Sequence, residues 1–145
     1  MNDQPGNDSL EALLKLSHEL GLESRGMAML GEGNTSTRRD AETFWVKASG
    51  TNLAALKPAH VVACHSAPIL AMMDRDSMTD VEVNQALLDS RVDPSALKPS
   101  VEALFHGYLL SLPDVNFVGH VHAIAINQIL CSPRAKDFAD RKSVV

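Results

Sequence analysis

This 145-residue sequence has no basic run, no long apolar stretch and no cysteine pair at metal-binding or redox spacing. Each absence removes a class of function. With a net charge of −5 spread over interspersed acids and bases, nucleic acid is not an expected partner. Nothing approaches the roughly 18 consecutive apolar residues that a membrane span needs. The start, Met1-Asn2-Asp3-Gln4-Pro5-Gly6, lacks the basic and apolar regions of a secretory leader. A cytoplasmic setting without membrane partners is the expectation. The two cysteines, Cys64 and Cys131, sit in apolar surroundings and read as buried free thiols. Internal repeats and low-complexity segments are also missing, and 45% hydrophobic residues suffice for the core of one domain.

Elements follow from periodicity and punctuation. Residues 1–8 are polar and read as a disordered lead-in to a domain over 9–145. A helix capped at Asp8 or Ser9 carries Leu10, Leu13, Leu14 and Leu20 at helical spacing and stops at Gly21. Asn34–Arg38 and Thr43–Lys47 read as a hairpin around Arg39-Asp40-Ala41, with Ala59–Cys64 as a further strand. Thr79 caps a helix to Ser90 that turns Val83, Ala86 and Leu87 inward, and Asp93-Pro94-Ser95 breaks the chain after it. Ser100 opens another helix, with Val101 and Glu102 in its first turn and a stripe of Val101, Leu104, Phe105 and Leu109. A strand over Val115–His120, a helix over Ala123–Leu130 and a polar tail from Arg134 complete the chain. Strands and helices therefore mix in one layered α/β or α+β structure.

The segment Val118-Gly119-His120-Val121-His122 carries the most chemistry. Side chains alternate along a strand, so His120 and His122 project to one side, close enough to grip one cation. They read either as a ligand pair or as two half-buried imidazoles bonded to backbone. A catalytic Zn²⁺ takes three protein ligands, so two histidines are half a site. Glu102 tips the balance. A first-turn Glu commonly complements the helix dipole, but the short link from this helix into the histidine strand makes the two neighbours, and the carboxylate then faces the pair.

Three short segments suit an anion. Gly31-Glu32-Gly33-Asn34-Thr35-Ser36, Ala48-Ser49-Gly50-Thr51 and Lys98-Pro99-Ser100 combine glycine or proline geometry with hydroxyl and amide donors. Ser100 also stands at a helix N-terminus. Each segment taken singly is equally readable as an ordinary turn or cap.

Their order along the chain resembles the class II aldolase and adducin N-terminal domain family. Gly-Asn-Thr-Ser, then Lys-Ala-Ser-Gly at a strand end, then Pro-Ser-Val-Glu opening a helix, then Leu-Pro-Asp-Val-Asn-Phe-Val-Gly-His-Val-His carry the likeness over roughly residues 9–132. Trp45–Gly50 and Lys98–Glu102 are also similar to the aldolase half of bifunctional rhamnulose-phosphate aldolase/dehydrogenases. The resemblance implies a three-layer α/β/α fold with a mixed, mainly antiparallel central sheet flanked by helices. It implies a metal-dependent aldolase that cleaves a sugar phosphate through a zinc-stabilised enediolate. His120 and His122 would be ligands of Zn²⁺ or another divalent metal, and Glu102 the catalytic acid/base. Asn34, Ser49, Gly50 and Ser100 would bind the substrate phosphate in a homotetramer. The same fold allows a 4-epimerase or a dehydratase, and an adducin-like head used only for association. Two departures stand out: Val101 replaces a second serine, and the family's third histidine, in an Asn-His-Gly context downstream, has no counterpart before Val145. The domain is therefore expected to lack its C-terminal part. Otherwise the third ligand is absent or supplied from elsewhere, with His18, His60, His65 and His106 as the candidates; His106, one helical turn after Glu102, could support the site, though a histidine there is more often a satisfied helix histidine.

Overall fold

Four consecutive polar residues, Asn34, Thr35, Ser36 and Thr37, are buried at the middle of the sheet, and the other layers are organised around them. They belong to β1 (Asn34–Arg38) of a computed structural model that describes residues 5–139. β2 (Thr43–Lys47) returns beside β1, β3 (Val61–His65) lies outside β2, and β4 (Phe117–His120) closes the far side of β1. The order is β3-β2-β1-β4, and all three pairings are antiparallel. Helices cover both faces. α1 (Pro5–Gly21) packs on one, while α2 (Ser66–Met73), α3 (Asp80–Asp89) and α4 (Ala103–Ser111) form the other layer. The three-layer α/β/α expectation therefore holds, with an antiparallel sheet among the described residues.

Alternation along β1 ties the layers together. Thr35 meets Ser17 of α1, hydroxyl to hydroxyl, at 2.7 Å. Ser17 already donates its one proton to the Leu13 carbonyl, so Thr35 is the donor of the pair. The next residue, Ser36, faces the opposite way, and its Oγ lies 2.7 Å from Nδ1 of His106 on α4. The apolar residues divide likewise: Phe44, Val46, Val62, Ile69, Leu87 and Leu110 pack on the α4 side, and Leu13, Leu56 and Val61 on the α1 side with Trp45 against them. α4 approaches closely because it presents Gly107 there, where a Cβ would stand 2.6 Å from Ile69 Cγ2.

The hairpin has the bounds read from sequence. Asp40 shapes its turn by accepting from the backbone N–H groups of Glu42 at 2.9 Å and Thr43 at 2.8 Å. α3 starts at a capping box between Thr79 and Glu82, as the sequence predicts. Other elements shift. α1 begins at Pro5, ahead of the Asp8 or Ser9 cap, so residues 5–8 are helical; residues 1–4 and 140–145 lie outside the described residues. β3 and β4 each start two residues later than read. α5 (Ile124–Leu130) lies within its predicted range, and the tail contains a short α6 (Ala135–Ala139). α2 was not read at all. Cys64 is a buried free thiol, whereas Cys131, expected to be buried, is exposed because it ends α5 on the surface.

Candidate metal centre

β1 and β4 bring the centre together. Asn34 and His120 are directly opposed in their antiparallel ladder, and the chain enters β1 through Gly33 at φ +75°. That glycine has two reasons to be one: the left-handed backbone, and a Cβ position only 2.9 Å from the His120 carbonyl oxygen. From the other layer, α4 presents Glu102 at its entrance and His106 one turn in. Ser100 does not cap the helix as read. α4 starts at Ala103, Glu102 holds the N-cap position, and the Ser100 hydroxyl accepts from the Glu102 N–H at 3.3 Å.

Glu102 Oε1 lies 3.2 Å from His120 Nδ1, without the alignment of a hydrogen bond, so Nδ1 is buried and unsatisfied among the described residues. His106 is fully buried; Ser36 engages its Nδ1, and its Nε2 has no partner among the described residues. One ligand-type atom from each of Glu102, His106 and His120 falls within 4.8 Å of the others. Burial holds His106 down to about 4, with His120 adding to the depression and the Glu102 carboxylate opposing it. Its imidazole is neutral at pH 7.

His106 thus differs from the sequence reading. The buried face of α4 is Ala103, His106, Gly107 and Leu110, while Val101 is exposed, so His106 occupies the centre of that face. The expected stripe is rotated because small residues, not large ones, let the helix close on the sheet. His122 lies past the end of β4, where strand alternation no longer governs it. Its ring is 4.7 Å from that of His120, so the pair shares one side, but His122 Nδ1 turns toward Glu32 Oε2 at 3.7 Å. The group of three contains His106 in its stead. The other histidines lie elsewhere: His18 Nε2 is 2.8 Å from the Leu56 carbonyl, His60 ends a 3₁₀ turn and His65 is exposed at the end of β3.

The three glycine- and serine-bearing segments converge. Ala48 bridges Pro99, the Ser49 N–H donates to the Lys98 carbonyl at 3.0 Å, and the Ser100 N–H donates to that of Lys47 at 3.3 Å. This brings the Ser49 and Ser100 segments against each other, with Gly50 in the left-handed region at φ +73°. Lys47 fastens the remaining segment: its buried ammonium donates to the carbonyls of Thr51 at 2.7 Å and Gly31 at 3.4 Å. Burial lowers its pKa and the negative charge of Glu102 opposes that. Sequence reasoning assigned no role to Lys47 or Glu32; a lysine inside the strand Thr-Phe-Trp-Val-Lys was the available signal for the first. Asn34 is fully buried, its Oδ1 taking the Thr35 N–H and its Nδ2 having no partner among the described residues.

Two imidazoles and a carboxylate suit zinc or another divalent cation of similar ligand preference. The residues fit such an ion on structural grounds, because it would satisfy ring nitrogens that are otherwise buried without partners. A separate cleft of about 440 Å³, lined by Gly21, Met29, Leu30, Leu53 and Ile124 among others, includes none of the group of three.

Residues 11–134 match the family described as Class II Aldolase and Adducin N-terminal domain. An uncharacterized oxidoreductase, YuxG of Bacillus subtilis (strain 168), is 31% identical over 139 residues, covering 90% of this chain and 19% of that protein. The methylthioribulose-1-phosphate dehydratase of Cronobacter sakazakii (strain ATCC BAA-894) is 30% identical over 116 residues, covering 79% of this chain and 45% of the enzyme. The chain therefore spans less than half of either curated relative. Among solved structures, the N-terminal class II aldolase domain of a conserved protein from Thermoplasma acidophilum superposes with a TM-score of 0.74 at 30% identity, covering 89% of this chain and 62% of that one. No helix among the described residues is long and apolar enough to cross a membrane.

Proposed function

Because this chain belongs to the class II aldolase and adducin N-terminal domain family, we propose that it carries the metal and acid/base half of a metal-dependent carbon–carbon lyase acting on a sugar phosphate. One observation supports this reading above the rest: Glu102, His106 and His120 converge with two buried ring nitrogens left without hydrogen-bond partners among the described residues. A helix-dipole role for Glu102 would not require a histidine nitrogen 3.2 Å from its carboxylate.

In this reading His120 and His122 hold a divalent cation, with zinc the first choice. When bound, the cation supplies Lewis-acid stabilisation of negative charge developing on substrate oxygens. Glu102 exchanges a proton with the substrate carbon that gains or loses its bond, a task for a carboxylate within about 3 Å of that carbon. Lys47 holds the Gly31 and Thr51 segments in place by its two carbonyl contacts. Asn34, Ser49, Gly50 and Ser100 then bind the phosphate through amide, hydroxyl and backbone N–H donors. The unpaired Asn34 Nδ2, across the ladder from His120, suits an oxyanion on the metal side of that pocket. Assembly into a homotetramer, with the cleft near a subunit boundary, belongs to the same reading.

The test is zinc content of protein purified without chelator, followed by product analysis on a panel of ketose phosphates. Aldehyde and ketone fragments support the lyase. The 30% identity to methylthioribulose-1-phosphate dehydratase favours one second reading, loss of water from the same class of substrate. A dehydrated product without fragments selects it. Absence of zinc at stoichiometry points instead to a head domain used for association.

A further inference from the structure

We propose that His106 is a positioning residue for Glu102: the Ser36 hydroxyl donates to Nδ1, the ring proton therefore sits on Nε2, and Nε2–H donates to one carboxylate oxygen of Glu102. The proposal rests on the reading of Glu102 as the acid/base. It deepens that reading by naming what holds the carboxylate, and it leaves the cation to His120 and His122.

Counting protons fixes the direction of the first hydrogen bond. Ser36 and His106 are both fully buried, and the Ser36 Oγ lies 2.7 Å from Nδ1. If Nδ1 carried the ring proton, the Ser36 hydroxyl proton and the Nε2 lone pair would both be buried without partners among the described residues. With Ser36 as donor, a single group is left over. That group is Nε2–H, a buried donor in need of an acceptor.

Glu102 is the acceptor at hand. The His106 backbone N–H donates to the Glu102 carbonyl at 3.1 Å, so helical geometry reaches back to Glu102 and the two side chains share one face of the helix. Helical side chains lean toward the N-terminus, which sends the His106 ring toward Glu102. A ring nitrogen of the one and a carboxylate oxygen of the other lie within 4.8 Å. The carboxylate itself accepts no hydrogen bond among the described residues: it stands 3.2 Å from His120 Nδ1 without the alignment of one, and it does not cap its own helix. Turning this partly exposed side chain brings one oxygen to about 3 Å from Nε2, a charge-assisted contact. The other oxygen is then free to face the substrate carbon.

Imidazole proton and nitrogen resonances of the metal-free protein test the contact without any need for activity. In histidine-labelled parent, His106 is expected as the neutral Nε2–H tautomer with a slowly exchanging Nε2 proton, assigned by its absence from His106→Gln. The Nδ1–H tautomer would overturn the proposal. Glu102→Ala is expected to speed exchange of that proton and Ser36→Ala to mix the tautomers; an Nε2 proton unchanged in Glu102→Ala would overturn it. On the active ketose phosphate, His106→Leu is expected to lose about 10- to 100-fold in kcat with KM within about twofold, and His106→Gln, which keeps a donor near the Nε2 position, to recover most of it. Equal loss in both variants would mark a purely structural histidine and overturn the positioning role. If His106→Leu does not fold, the Glu102→Ala and Ser36→Ala spectra decide. Parental turnover in Glu102→Gln would instead remove the acid/base reading, and these spectra would still decide whether His106 holds the carboxylate.

Discussion

Asn34 and His120 face each other across the β1–β4 ladder, and Gly33 packs against the His120 carbonyl from the preceding position. The amide proposed for the phosphate and the imidazole proposed for the metal are therefore set by one pair of strands. Their separation is a property of the ladder rather than of either loop.

Replacing His120 with Ala is expected to abolish stoichiometric zinc binding. The side chain is one-third exposed and the fold does not depend on its packing, so thermal unfolding should stay close to the parent. Metal analysis after gel filtration checks this; retained stoichiometry would remove His120 from the ligand set.

Replacing Glu102 with Gln keeps the shape of the α4 entrance and removes the proposed proton carrier. Turnover on the active ketose phosphate should fall by about 10²-fold or more, with zinc still bound. A variant within a few-fold of the parent would reduce Glu102 to a first-turn acid.

Gly33→Ala forces a Cβ onto a left-handed residue and to within 2.9 Å of the His120 carbonyl oxygen. The backbone cost alone is about 1–2 kcal/mol. Denaturant unfolding should show at least this loss, and zinc affinity should drop as β4 moves away. Unchanged stability and affinity together would contradict the close approach.

The two thiols should separate cleanly. Burial pushes the Cys64 thiol up to about 11, so at pH 8 its thiolate fraction is on the order of one in a thousand, whereas Cys131 is exposed. Deprotonation increases with pH, and pH 7 to 9 lies below the Cys64 value throughout. A disulfide reagent should therefore titrate one fast thiol per folded chain over that range and two after unfolding. Two fast thiols at pH 8 would show that Cys64 is accessible.

Elements defined by local chemistry were legible in the sequence. The β1–β2 hairpin and α3 each carry their own boundary signals, the Asp40 turn and the Thr79–Glu82 capping box. α2 carries none: Ser-Ala-Pro-Ile-Leu-Ala-Met-Met is apolar on every side and has a proline in its first turn, so it shows no helical period. Glu102 and the His120–His122 pair stand in the chain order of the family, and the structure brings Glu102 to His120. The part that was not legible depends on distant partners. His106 is recognised by Ser36, 70 positions away, and His122 faces Glu32, which lies just ahead of β1. A lone helical histidine gives no local sign of either relationship.

The polar character of β1 has a consequence for folding fidelity. Most sheets fix their alignment by sorting apolar from polar side chains, and a strand of Asn-Thr-Ser-Thr cannot do that. Here the hydroxyls act as addresses: Thr35 fits Ser17 on one side and Ser36 fits His106 on the other. A slip of one residue would turn Ser36 toward α1 and Thr35 toward α4, breaking both bonds and separating Asn34 from His120. A misaligned strand would thus lose its buried hydrogen bonds and its chemistry in the same step, so chains that bury β1 successfully are the ones whose centre is assembled.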